Sequence, residues 1–194
     1  MRAVIWHVFA AVITALSVGA ASADSSSTSE YKSVLDFVGW CKYQWDDTKP
    51  VPPRLNLPIW ACEVAEKRKL HARYVPYTQI NPFFLTGDFN GDGKLDIAIW
   101  VQETQSRKLG IVIIHGTTGR VFTLWAGNAF GERGDDIRGL DQWTIASRGE
   151  LLDSHWEDHT VRLRGDAPVL IKSESSAFAL YWDGKKYATY QLTD

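Results

Sequence analysis

The chain reads as a mainly β protein of α+β type: a single twisted antiparallel sheet or a small sandwich, with short N-terminal helices packed on it. Three observations predict this. From Pro82 onward the apolar runs are short, rich in β-branched and aromatic residues, and separated by Gly, Asp and Asn turns. Helical spacing is confined to two segments before that point. The carboxyl end carries two strand-like runs, 178–182 and 186–191, around Asp183-Gly184-Lys185, a tight-hairpin signature.

The amino terminus has the layout of a secretory signal peptide over 1–23. Met1-Arg2 is a short basic start, 3–18 is apolar, and Ala21-Ser22-Ala23 is a small-residue cleavage site. No cysteine stands directly after that site, and no later apolar run approaches spanning length, so no membrane insertion is expected after cleavage. A secreted or periplasmic location follows. Cleavage leaves 171 residues (194 minus 23) and a formal charge of −3 (20 basic and 23 acidic once Arg2 is removed). That length suits a single β-rich domain over 30–194, preceded by a flexible lead at 24–29. The charge is too mild to imply nucleic acid or an anionic membrane surface as partner.

Tyr31, Val34, Leu35 and Val38 recur at helical spacing, which predicts a short amphipathic helix over about 29–43. Cys41 and Cys62 are the two cysteines, and an even count in an oxidising space reads as a disulfide. Between them 49–58 carries four prolines and must be extended, an ordered strap held at its ends by that bridge. A second short helix is expected over 59–71, with Pro58 suited to its first turn.

The nine residues Asp88-Phe89-Asn90-Gly91-Asp92-Gly93-Lys94-Leu95-Asp96 place oxygen donors at every second position around two glycines. Ca²⁺ is a hard cation that takes six to eight oxygens. The side chains of Asp88, Asn90, Asp92 and Asp96, with the backbone carbonyl of Lys94, would supply most of such a shell for one structural calcium. Gly93 falls where the loop turns sharply, at positive φ, and Gly91 lets the backbone crowd the ion. Three carboxylates in nine residues repel one another, and a divalent cation reverses the sign of that interaction. The same residue types also favour a metal-free turn, although a turn alone does not require four donors in register.

An EF-hand would need a bidentate Glu at position 12, where this loop has Ile99. Its flanks are not helical either: 81–87 contains a proline, a glycine and adjacent aromatics, and 95–101 reads as a buried strand. A strand-loop-strand carrying Gly-Asp-Phe-Asn-Gly-Asp-Gly-Lys-Leu-Asp resembles the calcium loop of the FG-GAP/VCBS repeat family, found in integrin α-chain propellers and many bacterial extracellular proteins. The resemblance covers about 83–116 and implies calcium, with no particular activity. That family builds propellers from several blades, but this chain holds a single such loop, so a closed propeller is not expected. The ending Tyr-Trp-Asp-Gly-Lys-Lys-Tyr is also similar to that of small exported bacterial proteins with one calcium loop.

The continuously apolar run 111–114 predicts a central strand, and Gly116-Thr117-Thr118-Gly119 turns it into another at 121–124. Segment 126–140 has four glycines and no periodicity, so it reads as a long surface loop and the candidate recognition surface. Short strands are expected at 143–146 and 169–172.

No catalytic constellation is legible. His155-Trp156-Glu157-Asp158-His159 sets two imidazoles four apart, but matches neither His-Glu-x-x-His nor its inverse. His71 and His115 have no sequence-local acid partner, and His115 is expected at a strand rim. Arg133-Gly134-Asp135 and Arg164-Gly165-Asp166 read as surface turns. Of the tryptophans beyond the signal peptide, Trp100 and Trp182 sit in strand patterns and are expected to pack, whereas Trp125 and Trp156 adjoin loops and suit a binding face. The reading that results is a non-enzymatic binding module of the cell envelope or extracellular space, with a protein or glycan ligand. The alternatives are an envelope-polymer hydrolase using His155, Glu157 and His159, and a structural partner subunit.

Overall fold

In the computed structural model, residues 40–41 and 55–193 are described. The segments expected as a signal peptide and as a lead at 24–29, and most of those expected as a first helix and as a proline strap, lie outside them; Trp40 and Cys41 sit in a turn.

Pro58 caps helix α1 (Ile59–Lys67), and its carbonyl accepts the Ala61 and Cys62 amides. The helix stops where Lys69 adopts φ 52°, and a 3-10 turn follows at Leu70–Ala72, so the segment expected as one helix is two pieces. Eleven strands come next, all antiparallel in their pairings. In the first sheet, β3 (Asp96–Glu103), β4 (Leu109–Ile114) and β5 (Val121–Trp125) form a meander. β1 (Tyr74–Pro76) and β2 (Phe84–Gly87) pair with successive halves of the free edge of β3: Pro76 sits opposite Val101, and Phe84 opposite Ile99. The second sheet orders β11 (Tyr187–Thr193), β10 (Ser176–Trp182), β9 (Ala167–Lys172) and β6 (Gln142–Ala146). A short hairpin of β7 (Leu151–Leu152) and β8 (Val161–Arg162) stands apart.

Period-2 alternation sorts the first sheet's side chains into two cores. Ala98, Trp100, Ile111 and Ile113 meet Trp143, Leu170, Phe178 and Leu180 of the second sheet. Ile97, Ile99, Val101, Val112 and Ile114 face the opposite way, onto Leu57, Ala61, Cys62 and Ala65 in and before α1. β3 and β4 are therefore buried on both faces, which is why their sequences are continuously apolar rather than alternating. The outer face of the second sheet, with Val169, Ala179 and Tyr190, is covered by Leu152 and Leu163 of the β7–β8 region. The result is a sandwich with a helix on one side and a hairpin on the other, and neither sheet closes into a barrel or propeller. Among the described residues no helix is long and apolar enough to cross a membrane.

Cys41 and Cys62 are bridged, with Cα atoms 5.9 Å apart, and tie the chain before the proline strap to α1. The bridge closes a loop with a sequence separation of 21. By chain entropy, such a closure removes about 3 kcal/mol of unfolded-state freedom. Urea denaturation of the oxidised and the reduced protein should therefore show the reduced form less stable by about that amount, with both still unfolding cooperatively because the inter-sheet core lies elsewhere.

Candidate metal centre

Gly87 pairs with Asp96 to close the β2–β3 hairpin, leaving residues 88–95 as its loop. The loop is anchored from beneath by Phe89, which is fully buried in the inter-sheet core. Gly91 and Gly93 have φ of 77° and 80°, the left-handed region in which a Cβ is strained.

The donor side chains turn back onto the loop's own amides. Asp88 Oδ2 accepts the Gly93 N–H at 2.9 Å, Asn90 Oδ1 that of Asp92 at 2.9 Å, and Asp92 Oδ1 that of Lys94 at 2.9 Å. Asp96, fully buried, accepts the Asn90 N–H at 3.2 Å and the Gly116 N–H at 2.9 Å. Burial pushes the Asp96 carboxyl up to about 6; the charges of Asp92 and Asp88 add to the rise, while the two amides oppose it. Asp92 moves the other way. Desolvation is the largest single influence and opposes ionisation, but hydrogen bonds from the Thr117 side chain, the Lys94 amide and Asn90 together outweigh it and hold the carboxyl below its ordinary range.

Asp88 Oδ1 is the telling atom. It is buried and has no hydrogen-bond partner among the described residues, an arrangement that costs about 1–3 kcal/mol for a polar group. Hard oxygen donors, a buried acceptor without a hydrogen, and a carboxylate whose ionisation is opposed by its neighbours all fit a cation. The three aspartates are not drawn into a tight triad, however. Among the described residues, the acidic and imidazole groups whose ligand atoms lie within 4.8 Å of one another are Glu157, Asp158 and His159.

The loop is locked to the second sheet by a contact that nothing in the local sequence announces. The Asp88 N–H donates to Asp166 Oδ2 at 2.9 Å, and the Asp166 N–H donates to the Asp88 carbonyl at 2.8 Å. Asp166 Oδ1 also accepts the Arg148 N–H at 2.9 Å, and the Arg148 guanidinium returns to Asp88 Oδ2 at 3.3 Å. Two glycines make the approach possible: a Cβ on Gly91 would lie 2.7 Å from the Arg164 carbonyl, and one on Gly165 would collide with the Asp88 carbonyl. Arg164-Gly165-Asp166, expected as a plain surface turn, is thus one half of a clasp.

The other candidate residues are placed differently. His155, exposed, lies against Trp156 with ring centroids 4.6 Å apart and is not part of the Glu157-Asp158-His159 group. The segment is a turn rather than a helix, so spacing of four does not put the two imidazoles on one face. Glu157 accepts the Gln191 amide at 2.8 Å, and His159 Nδ1 lies 2.9 Å from Asp158 Oδ1. His115 is buried rather than at a rim, its Nε2 2.7 Å from the Tyr187 hydroxyl; burial, with the Arg120 charge, pushes its pKa down to about 4. His71 has an acid partner after all, Glu66 at 3.3 Å.

Trp125 is fully buried, edge-on to Phe130 and Phe178, because the backbone at Trp125 and Ala126 turns left-handed (φ 59° and 48°) at the end of β5. Trp156 remains 46% exposed. The segment 126–140 is an ordered fold-back that buries Ile137 and Leu140, with Asp136 accepting the Leu109 amide. Its exposed residues are Ala129, Gly131 to Gly134, Arg138 and Gly139.

No family model, curated protein or solved structure matches the chain, so the fold and this loop carry the functional argument.

The clasp makes a direct prediction. Asp166→Ala removes the acceptor of the Asp88 and Arg148 amides and should lower the unfolding free energy by about 1–3 kcal/mol, measured by urea denaturation. Asp158→Ala, on the exposed turn, should leave the midpoint in place.

Proposed function

We propose that this protein is an exported recognition domain of the cell envelope or extracellular space, held rigid by one structural calcium ion in the loop 88–96. The observation that carries the reading is the buried, unpartnered Asp88 Oδ1, set in a loop whose Asp88, Asn90, Asp92 and Asp96 side chains and Lys94 carbonyl have calcium-ligand spacing. The ion would supply positive charge where the loop's carboxylates accumulate negative charge. The chain's own part is to hold the oxygens: Phe89 pins the loop from below, Gly91 and Gly93 supply its turns, and Asp166 and Arg148 fix its outer flank.

Export is supported by the signal-like amino terminus and by the Cys41–Cys62 bridge, which belongs to an oxidising compartment. The resemblance of the loop to FG-GAP/VCBS repeats agrees with an extracellular calcium site. Recognition rather than turnover is favoured because Glu157 is engaged by a backbone amide and His155 stands outside the neighbouring group. The partner is a protein or glycan of the envelope.

Thermal melts with calcium and with chelator test the metal. With Kd of roughly 10⁻⁴ M, as in extracellular modules, about 10 mM calcium should add about 2.7 kcal/mol. Asp92→Ala should abolish that response, whereas Asp158→Ala should keep it. Coincident wild-type melts, or a response that follows Asp158 instead of Asp92, would overturn the assignment.

A further inference from the structure

Beside the loop 88–96 lies an open cleft of about 490 Å³, lined by Gly91, Arg148, Gly149, Arg162, Leu163 and Arg164. The β7–β8 pairing explains the composition. Leu151 sits opposite Arg162, and the Gly149 and Leu163 amides bond across to Leu163 and Glu150, so the ladder continues towards the clasp. Arg162 is the last residue of β8 and Arg164 lies in the bend that follows it; both are exposed, while Leu163 between them is buried. Arg148 joins them from the opposing segment.

The three guanidiniums are unequally committed. Arg148 faces Asp88 at 3.3 Å, Arg162 donates to the Gly149 carbonyl at 2.9 Å, and Arg164 has no hydrogen bond or ion pair among the described residues. Asp88 and Asp166 are the carboxylates beneath the cleft, and the oxygens of Asp166 are taken by the Asp88 and Arg148 amides. A concave surface with three arginines on a chain of formal net charge −2 is a local positive site, not a reflection of overall charge.

We infer that this cleft binds an acidic glycan, with Arg148, Arg162 and Arg164 gripping its carboxylate or sulfate groups. Guanidinium presents its donors in a planar fork that matches such oxyanions. The lining has no aromatic side chain, which removes the stacking platform that single-stranded nucleic acid or a neutral sugar would need. It also has no exposed apolar pocket to anchor a peptide side chain. This rests on the reading of the protein as a recognition domain and specifies its ligand, but not on the calcium ion.

The test is calorimetric titration of the intact exported protein with a galacturonate trimer, a sulfated disaccharide, a neutral maltotriose and a short single-stranded DNA, in calcium buffer and again in chelator. One of the two acidic sugars should bind, more weakly as salt rises, and the other reports whether carboxylate or sulfate is preferred. Arg164→Gln and Arg162→Gln should each weaken that binding about tenfold, the loss of one charge-assisted pair. Both variants should retain the wild-type melt and its calcium response, so a failed calcium assay and a failed glycan assay are separate results. The inference is overturned if neither acidic sugar binds, if maltotriose or DNA binds as well, or if Arg162→Gln and Arg164→Gln leave the affinity unchanged.

Discussion

The pair of reciprocal hydrogen bonds between Asp88 and Asp166 is the constraint on which the rest of this structure depends. It joins the hairpin loop of the first sheet to the residue that leads into β9 of the second, at one end of a core held together mainly by non-directional packing, with His115 on Tyr187 as a further directional tie between the sheets. Apolar contacts such as Trp100 on Trp143 bring the sheets together but tolerate sliding, whereas paired backbone and carboxylate bonds at 2.8–2.9 Å fix a register. Gly91 and Gly165 let the two backbones approach closely enough to make those bonds, and Phe89 fills the space beneath. A cation bound by the loop would tighten the same junction, because Asp88 belongs to both the clasp and the donor set.

What the sequence disclosed follows from the range of the forces involved. The β3 and β4 strands were legible because burial on both faces forces a continuous apolar run. The C-terminal hairpin was legible because Asp183 accepts the Lys185 and Lys186 amides within the turn itself. Positive φ at Gly93 came from an equally local argument, and the pairing of the two cysteines from their even count in a chain read as exported. Whether the strands form one sheet or two could not be decided, since that choice lies in contacts such as Trp100 with Trp143 that leave no periodic trace. β1, β7 and β8 span only two or three residues and fall below any pattern. Trp125 was placed on the wrong side because its direction is set by a left-handed backbone step rather than by its neighbours' polarity. Of the candidate site, the donors were visible, and Asp166 and Arg148 were not.

The distribution of charge separates two surfaces that adjoin at Asp88. On one side Asp88, Asp92 and Asp96 gather negative charge in a single loop; on the other Arg148, Arg162 and Arg164 gather positive charge along a cleft. The Arg148–Asp88 pair lies at the boundary, at 3.3 Å and partly open to water. Buried polar groups elsewhere are mostly satisfied internally, as with His115 on Tyr187 or Glu103 on the Gln105 and Ser106 amides, and these pairs serve the fold. Among the described residues the buried side-chain atoms left without a partner are Asp88 Oδ1 and the indole nitrogens of Trp100 and Trp125, and of these Asp88 Oδ1 is the one able to ligate a cation.

Native-state hydrogen exchange at the amides of Asp88 and Asp166, followed with calcium and with chelator, is the most direct test of this account. Each amide donates to the other residue, so the two should open as one event and show the same protection, and calcium should slow both by the same factor. Exchange of the two at unrelated rates, or slowing by calcium of one amide alone or of neither, would contradict the claim that one ion-stabilised clasp holds the two sheets in register.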